Sequence, residues 1–195
     1  MFSKLKNPFD FLTDNQLLLF GMLGYLIHSF FSSQWNYIAD GIIQLHQISS
    51  MPFWYPFVNN AINILVLTGV LFIFGKMIYT KTRIIDVLNV VWFAQLVQVL
   101  LAIIIFNPIS QKFTSNIQIA IENHDFQLKT VPVYELVIMG AIGIFAILGL
   151  VYYFYLLITG MKIAIYTKKT IHGILIILIT LIVDVILKFS YPYLV

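Results

Sequence analysis

The tetrapeptide Ile-Tyr-Thr-Lys occurs twice in this chain, at residues 78–81 and at residues 165–168, and its two positions decide the fold. Each copy lies in a short basic link between two apolar stretches that are long enough to cross a bilayer. Basic links of this kind are typical of the cytoplasmic turns of membrane hairpins. The repeat therefore predicts two helical hairpins of the same orientation. It reflects either an internal duplication or the general preference of such turns for Tyr, Thr and Lys, and the sequence leaves both open.

The composition indicates that lipid, not water, surrounds most of the chain. Hydrophobic residues make up 61% of the 195 residues and charged residues only 10%, whereas soluble domains average about 45–50% and about 25%. Cys is absent, which excludes disulfides, thiolate metal sites and cysteine nucleophiles. The net charge of +3 comes from lysines in short turns. Such a charge reports membrane topology, so we expect no nucleic-acid partner.

Five apolar segments are long enough for transmembrane helices, each of which needs about 20 residues. They cover approximately residues 16–33, 57–79, 84–106, 133–161 and 171–189. The predicted fold is an all-α membrane protein with a first helix and two helical hairpins of the same orientation, in a single domain over residues 1–195. The fourth segment would outrun the bilayer at about 1.5 Å per residue, so it should tilt or project from one face.

The basic residues predict the orientation. With a cytoplasmic N-terminus, only Lys112, Lys129 and Lys188 lie outside, and all other Lys and Arg residues lie in the cytoplasm. This positive-inside bias predicts a cytoplasmic N-terminus and an external C-terminus. A chain without Cys fits a bacterial inner membrane, which is the location we expect.

Two longer loops, at residues 34–56 and 107–132, lie on the external side in this topology. Both contain apolar residues alternating with polar ones. Either short helices lie flat on the membrane surface there, or ordered loops pack on the helix ends. The sequence favours neither interpretation.

Two stretches, IIDVLNVVWFA at residues 84–94 and ITGMKIAIYTKKTIHGILIILI at residues 158–179, resemble the Yip (Ypt-interacting protein) domain family. The first stretch, which follows the basic turn KTR, is similar to a family helix that an acidic residue opens. The second stretch resembles the family's last turn, where a Gly-led basic link leads into an apolar final helix. The resemblance covers most of residues 8–187. It implies five helices and a cytoplasmic N-terminus, and Asp86 is the one polar position that matches the family pattern.

The resemblance also bears on partners. Eukaryotic members of the family act in vesicle traffic, bind Rab-type GTPases and carry a long cytoplasmic N-terminal region. Here only about fifteen residues precede the first apolar segment, so we do not expect GTPase binding. The expected partners are membrane lipids and either other membrane proteins or further copies of the chain. No catalytic residue carries over from the family, and no cofactor is expected.

Polar side chains inside lipid cost a few kcal/mol each at mid-depth, so each of them needs a physical reason. A candidate polar cluster in the outer half of the bundle consists of His28, Asn59, Asn63, Gln95, Gln98, Glu135 and Asp184. The cluster either handles protons or ions, with Asp184 as the titrating group, or joins helices through hydrogen bonds. In the second case we expect Asp184 to be buried against a partner such as Asn63 or Gln98.

The basic turns contain a second group of candidates, which are Lys81, Arg83, Asp86, Lys168 and Lys169. Asp86 lies near a helix N-terminus, where the helix dipole favours a carboxylate, and Arg83 is close in sequence. We interpret Asp86 as a capping or salt-bridge residue. The His and acidic residues of the external loops lack the spacing of known metal motifs, so no metal site is expected.

Two function hypotheses remain after the enzyme motifs are considered. The sequence contains no Gly-x-Ser-x-Gly, no Walker-type loop and no motif of membrane proteases, so we expect no enzymatic activity. The first hypothesis is a non-enzymatic scaffold or partner for other membrane components. The second is a small permease or channel-like subunit that uses the polar outer half of the bundle. A permease needs a continuous polar path, whereas the inner halves of the first and last segments are apolar.

Overall fold

The structure, a computed structural model, describes residues 7–190 and consists mainly of long helices. The long helices are α1 (Asp14–Trp35), α2 (Tyr55–Ile78), α3 (Ile84–Phe106), α5 (Val133–Ala164) and α6 (Thr170–Ser190). Two strands, β1 (Tyr37–Ala39) and β2 (Leu45–Gln47), follow α1, and a shorter helix, α4 (Pro108–Glu122), follows α3. A 3₁₀ turn at Pro8–Asp10 precedes α1.

All five long helices are long and apolar enough to cross a membrane, which makes the chain compatible with an integral membrane protein. The predicted all-α class and the five predicted segments are confirmed, with only small differences at the helix ends. Both chain termini, on which the predicted orientation depends, lie outside the described residues.

Helix α3 is the central element, because it contacts α1, α2, α4 and α5. In its most apolar 18-residue stretch 44% of the residues are buried, against 6% in the corresponding stretch of α5. The close approach of α1 to α3 depends on glycine, since a Cβ atom on Gly21 would lie 2.6 Å from Cβ of Trp92. Lipid or another protein must therefore cover most of α5, while α3 is covered by its own chain.

The first of the two loops, at residues 34–56, contains a β-hairpin, so the interpretation of this loop as a surface helix is wrong. Strands β1 and β2 are antiparallel and pair Ile38 with His46 at their centre. All three residues of β1 are buried, and Tyr37 has no exposed surface. Backbone groups at residues 40–44, which connect the strands, are hydrogen-bonded by side chains of the long helices. We call this segment the hairpin tip.

The second of the two loops, at residues 107–132, contains α4, so of the two interpretations of this loop the one with a short helix fits the structure. Asn107 caps the helix, because its Oδ1 accepts hydrogen bonds from the backbone N–H groups of Ile109 (3.0 Å) and Ser110 (3.1 Å). Pro108 occupies the first turn, where the lack of an N–H has no cost.

The two Ile-Tyr-Thr-Lys copies meet at one end of the bundle, which we call the turn end. The ring centroids of Tyr79 and Tyr166 are 5.9 Å apart. The copies differ in backbone conformation, since Tyr166 has a φ of 50° and Tyr79 has a φ of −140°. The repeated sequence therefore places two turns side by side without giving them the same backbone.

Candidate functional site: a buried hairpin and its polar anchors

Asp184 of α6 holds the hairpin tip from one side. Its Oδ1 accepts hydrogen bonds from the backbone N–H groups of Ile42 (2.6 Å) and Ile43 (2.8 Å). Its Oδ2 accepts one from Nε2 of Gln44 at 3.1 Å. The side chain is buried, and hydrogen bonds from N–H groups to a charged oxygen are stronger than those between neutral groups. Three donors therefore compensate the removal of this carboxylate from water.

Two asparagines of α2 hold the hairpin from a second side. Nδ2 of Asn59 donates to the carbonyl oxygen of Ala39 at 2.9 Å. Nδ2 of Asn63 donates to the carbonyl oxygens of Ala39 (3.0 Å) and Gly41 (2.8 Å). Residues four apart lie on one face of a helix, so both amides reach the same turn.

Gln98 of α3 completes the set, because its Nε2 donates to the carbonyl oxygen of Ile42. The hairpin tip therefore has backbone N–H groups bound by α6 and carbonyl oxygens bound by α2 and α3. Irregular backbone inside a membrane protein needs partners of this kind, since lipid offers none. Asp184 is buried as expected, but its partners are groups of the hairpin tip, so the expectation that Asn63 or Gln98 is its partner is wrong. Asn63 and Gln98 bind carbonyl oxygens of the same tip.

Gly41 allows the tip to approach α6. A Cβ atom at this position would lie 2.5 Å from Oδ1 of Asp184 and 2.8 Å from its backbone oxygen. Side-chain atoms do not tolerate such distances, so only glycine fits here.

A small polar cavity lies beside the tip. Its lining includes His28, Asn63, Gln95 and Gln98 of the predicted cluster, together with Asn60. Its volume of about 10 Å³ is close to the minimum that one water molecule needs. Within residues 7–190, Nε2 of His28 and Oδ1 of Asn63 are buried and have no hydrogen-bond partner.

Glu135 does not join this cluster, so its assignment there is wrong. Its carboxylate accepts hydrogen bonds from Nδ2 of Asn116 at 2.9 and 3.2 Å, and Oε1 also accepts one from the Tyr134 hydroxyl at 3.2 Å. Glu135 lies in the first turn of α5, beside α4. It therefore fastens α4 to α5.

The exposed side of the hairpin carries two further polar contacts that sequence reasoning missed. Nζ of Lys188 donates to Oε1 of Gln44 at 2.7 Å, and Asp40 forms an ion pair with His46. Burial raises the pKa of Asp40, and the neighbouring His46 partly opposes this rise. Neither contact has a periodic signature in the sequence, because both depend on how the loop folds back.

The second group of candidates lies at the turn end. Nη2 of Arg83 is 2.6 Å from Oδ1 of Asp86 and 3.2 Å from Oδ2 of Asp14. These carboxylates, Asp86 first, raise the pKa of the Arg83 guanidinium. Lys81 lines a cavity beside this ion pair. Lys168 and Lys169 are exposed in the other turn and do not line it.

The polar anchors Asp184, Asn59, Asn63 and Gln98 have mainly one task, which is to hold the backbone of the hairpin at residues 39–43. Among residues 7–190 no group of three or more His, Asp or Glu side chains is arranged to hold a metal ion. No family model, curated protein or solved structure matches this chain at a significant level.

Proposed function

We propose that this protein is a non-enzymatic membrane scaffold of the Yip-like type, which acts through contacts between its own helices and other membrane proteins. The observation that carries the proposal is the commitment of Asp184, Asn59, Asn63 and Gln98 to the backbone of the hairpin. A transport site needs polar groups that exchange partners with a passing solute. Here these side chains have backbone partners instead.

An apolar cavity beside the hairpin also supports a scaffold. It has a volume of about 310 Å³ and lies between the hairpin, α3 and α5. Its walls are mostly apolar, and include Leu101, Ile147 and Leu150. An apolar cleft of this kind does not extend the small polar cavity into a continuous path for an ion.

Helix α5 is the surface that we assign to partners. Ile144, Phe145 and Leu148 are 63%, 60% and 58% exposed on it. A Cβ atom at Gly140 or Gly143 would meet nothing within 4 Å. Small residues on a transmembrane helix allow another helix to pack closely. We take a second copy of the chain, packed α5 against α5, as the first partner to test.

Cross-linking tests this assignment, and the absence of Cys from the chain makes single-cysteine variants simple to interpret. Ile144→Cys places a thiol on α5, and Ile182→Cys places one on α6 at a position of similar exposure, 58%. In native membranes treated with an oxidant, we expect a disulfide-linked dimer for Ile144→Cys only. Equal cross-linking at both positions, or none at either, would overturn the α5 contact.

A second candidate, the small permease or channel-like subunit, rests on the unpartnered Nε2 of His28 and Oδ1 of Asn63 in the polar cavity. Proton or alkali-cation flux into proteoliposomes, read with a pH- or cation-sensitive dye, separates the two candidates. For a scaffold we expect no flux above that of empty liposomes. Flux that disappears in a His28→Leu variant would favour the permease and contradict the scaffold.

A further inference from the structure

The turn end contains a charged cavity of about 290 Å³ that the proposed scaffold function does not use. Its charged lining residues are Asp14, Lys81, Arg83 and Asp86. Two cations and two carboxylates give the lining no net charge. Arg83 binds both carboxylates, whereas Lys81 forms no ion pair with any residue between 7 and 190. The cavity therefore offers a free ammonium group next to two carboxylates.

The remaining walls combine aliphatic and aromatic side chains with one amide. Tyr79 and Tyr166, one from each Ile-Tyr-Thr-Lys copy, line the cavity and contact each other. Asn89 of α3 also lines it and is buried, with 2% exposure. The side chains that enclose this space thus come from both repeated turns and from the central helix.

Asn89 requires a hydrogen-bond donor. Its Nδ2 donates to the carbonyl oxygen of Asp14 at 3.2 Å, which fixes the orientation of the amide. Its Oδ1 is therefore an acceptor, and it has no partner among the described residues. A buried acceptor without a donor is costly, so a ligand that brings an N–H group would satisfy it.

We propose that this cavity binds the headgroup of phosphatidylethanolamine, an inference that goes beyond the scaffold function and does not depend on it. Lys81, with Arg83 beside it, contacts the phosphate, and the ammonium group donates to Oδ1 of Asn89 and to the carboxylates of Asp14 and Asp86. A zwitterionic headgroup matches a lining that contains both charges in equal number. The cavity lies at the ends of membrane-spanning helices, where lipid headgroups are found.

Other ligands fit less well. An anionic headgroup would be repelled by the two carboxylates, and a choline headgroup has no N–H group for Asn89. A divalent cation would have to displace Arg83 from Asp14 and Asp86. The chemistry of the lining thus selects a phosphate joined to a primary ammonium.

Lipid binding measured by native mass spectrometry of the purified full chain tests the proposal. The probes are phosphatidylethanolamine, phosphatidylcholine and phosphatidylglycerol with identical acyl chains. We expect phosphatidylethanolamine to bind about tenfold more tightly than phosphatidylcholine, since a charge-assisted hydrogen bond of about 1.4 kcal/mol distinguishes them. Equal binding of the three lipids would overturn the proposal.

The two repeat copies supply a matched pair of variants. Lys81→Gln should reduce phosphatidylethanolamine binding, and Lys168→Gln, in the copy whose lysine does not line the cavity, should leave it unchanged. Asn89→Leu removes the buried acceptor and should lose binding. If Asn89→Leu does not fold, the lysine pair still decides the question, because equal effects of both lysine substitutions would contradict the site.

A competition experiment distinguishes a membrane lipid from a soluble molecule with the same headgroup. Glycerophosphoethanolamine, which lacks acyl chains, should fail to compete with the lipid at equal concentration. Competition at equal concentration would assign the cavity to a soluble ligand and would overturn the membrane-lipid proposal. The α5 cross-link is measured on a different helix face, so either proposal can fail while the other holds.

Discussion

At the scale of single residues, Asp184 shows how a carboxylate is retained inside an apolar bundle. Its three donors come from one turn of the chain, and two of them are backbone N–H groups at Ile42 and Ile43. Replacing the carboxylate therefore affects the hairpin first. The charge of Asp184 is used to hold a loop, which is a structural reason for a charged residue in lipid.

We expect Asp184→Leu to destabilise the protein more than Asp184→Asn. Leucine leaves the N–H groups of Ile42 and Ile43 without an acceptor, at about 1–3 kcal/mol for each buried group. Asparagine keeps Oδ1 as an acceptor for both N–H groups. Its NH₂ group cannot accept the hydrogen bond from Gln44, and the loss of that bond costs roughly 1 kcal/mol. Equilibrium unfolding in mixed micelles measures both variants. Equal losses would mean that the two backbone hydrogen bonds contribute little to stability.

Gly41 tests the same contact from the side of the hairpin. Gly41→Ala places a Cβ atom 2.5 Å from Oδ1 of Asp184, so we expect a loss of about 1–3 kcal/mol from overpacking. In an Asp184→Ala background, which removes Oδ1 and Cγ, the additional loss should be smaller, because both changes act on one contact. The free energies of unfolding of the two single variants and the double variant give the coupling energy between the two positions.

Gly69→Ala is the control for this series, since a Cβ atom there meets nothing within 4 Å. It should leave stability unchanged or raise it by up to about 1 kcal/mol, the difference in helix propensity between Gly and Ala. A comparable loss at Gly69 would show that any added methyl group is harmful and that Gly41 is not special.

At the scale of elements, the sequence predicted helices well and loops poorly. The long helices followed from apolar runs, which in lipid can form only helices or closed barrels. The hairpin had no such signal, because each strand contains only three residues. A period of two is not visible over so short a length.

The sequence predicted which residues belong to the candidate site better than it predicted what those residues contact. Polar residues in lipid need a hydrogen-bond partner, and this rule identified four residues that all bind the hairpin: Asp184, Asn59, Asn63 and Gln98. Their partners are mostly backbone groups of a loop that enters the bundle, and a side-chain pattern does not reveal such groups. Glu135 was placed in the wrong contact because depth along a helix does not say which neighbour lies beside it.

Helix α4 supplies a test at this scale. Asn116→Leu removes the amide that donates to the Glu135 carboxylate and leaves that buried group with fewer donors, so α4 should loosen from α5. We expect faster amide hydrogen exchange in α4 and unchanged exchange in α3. Gln118→Leu is the control, because Gln118 is exposed and its side chain donates to Glu122 of the same helix. Equal exchange in both variants would show that the Asn116 contact does not fasten the helix.

At the scale of the whole molecule, the arrangement divides the chain into two ends with different chemistry. The turn end gathers the basic links and their ion pairs, and the other end contains the hairpin and α4. Helix α3 connects the ends, since Asn89 lines the cavity at the first and Gln98 binds the hairpin near the second. A lipid bilayer between these ends requires that each end be reachable from one side only.

Cysteine labelling from the two sides of the membrane tests this requirement, and the Cys-free chain provides the background. Lys81→Cys and Lys168→Cys place thiols in the two turns, and Gln47→Cys and Gln118→Cys place exposed thiols on the hairpin and α4. With a membrane-impermeant maleimide, we expect the first pair to react only from the cytoplasmic side, as the positive-inside bias predicts, and the second pair only from the opposite side. All four must react after solubilisation, which serves as the control. If the two turn positions reacted from opposite sides, an odd number of crossings would separate them, and the pair of hairpins with one orientation would be wrong.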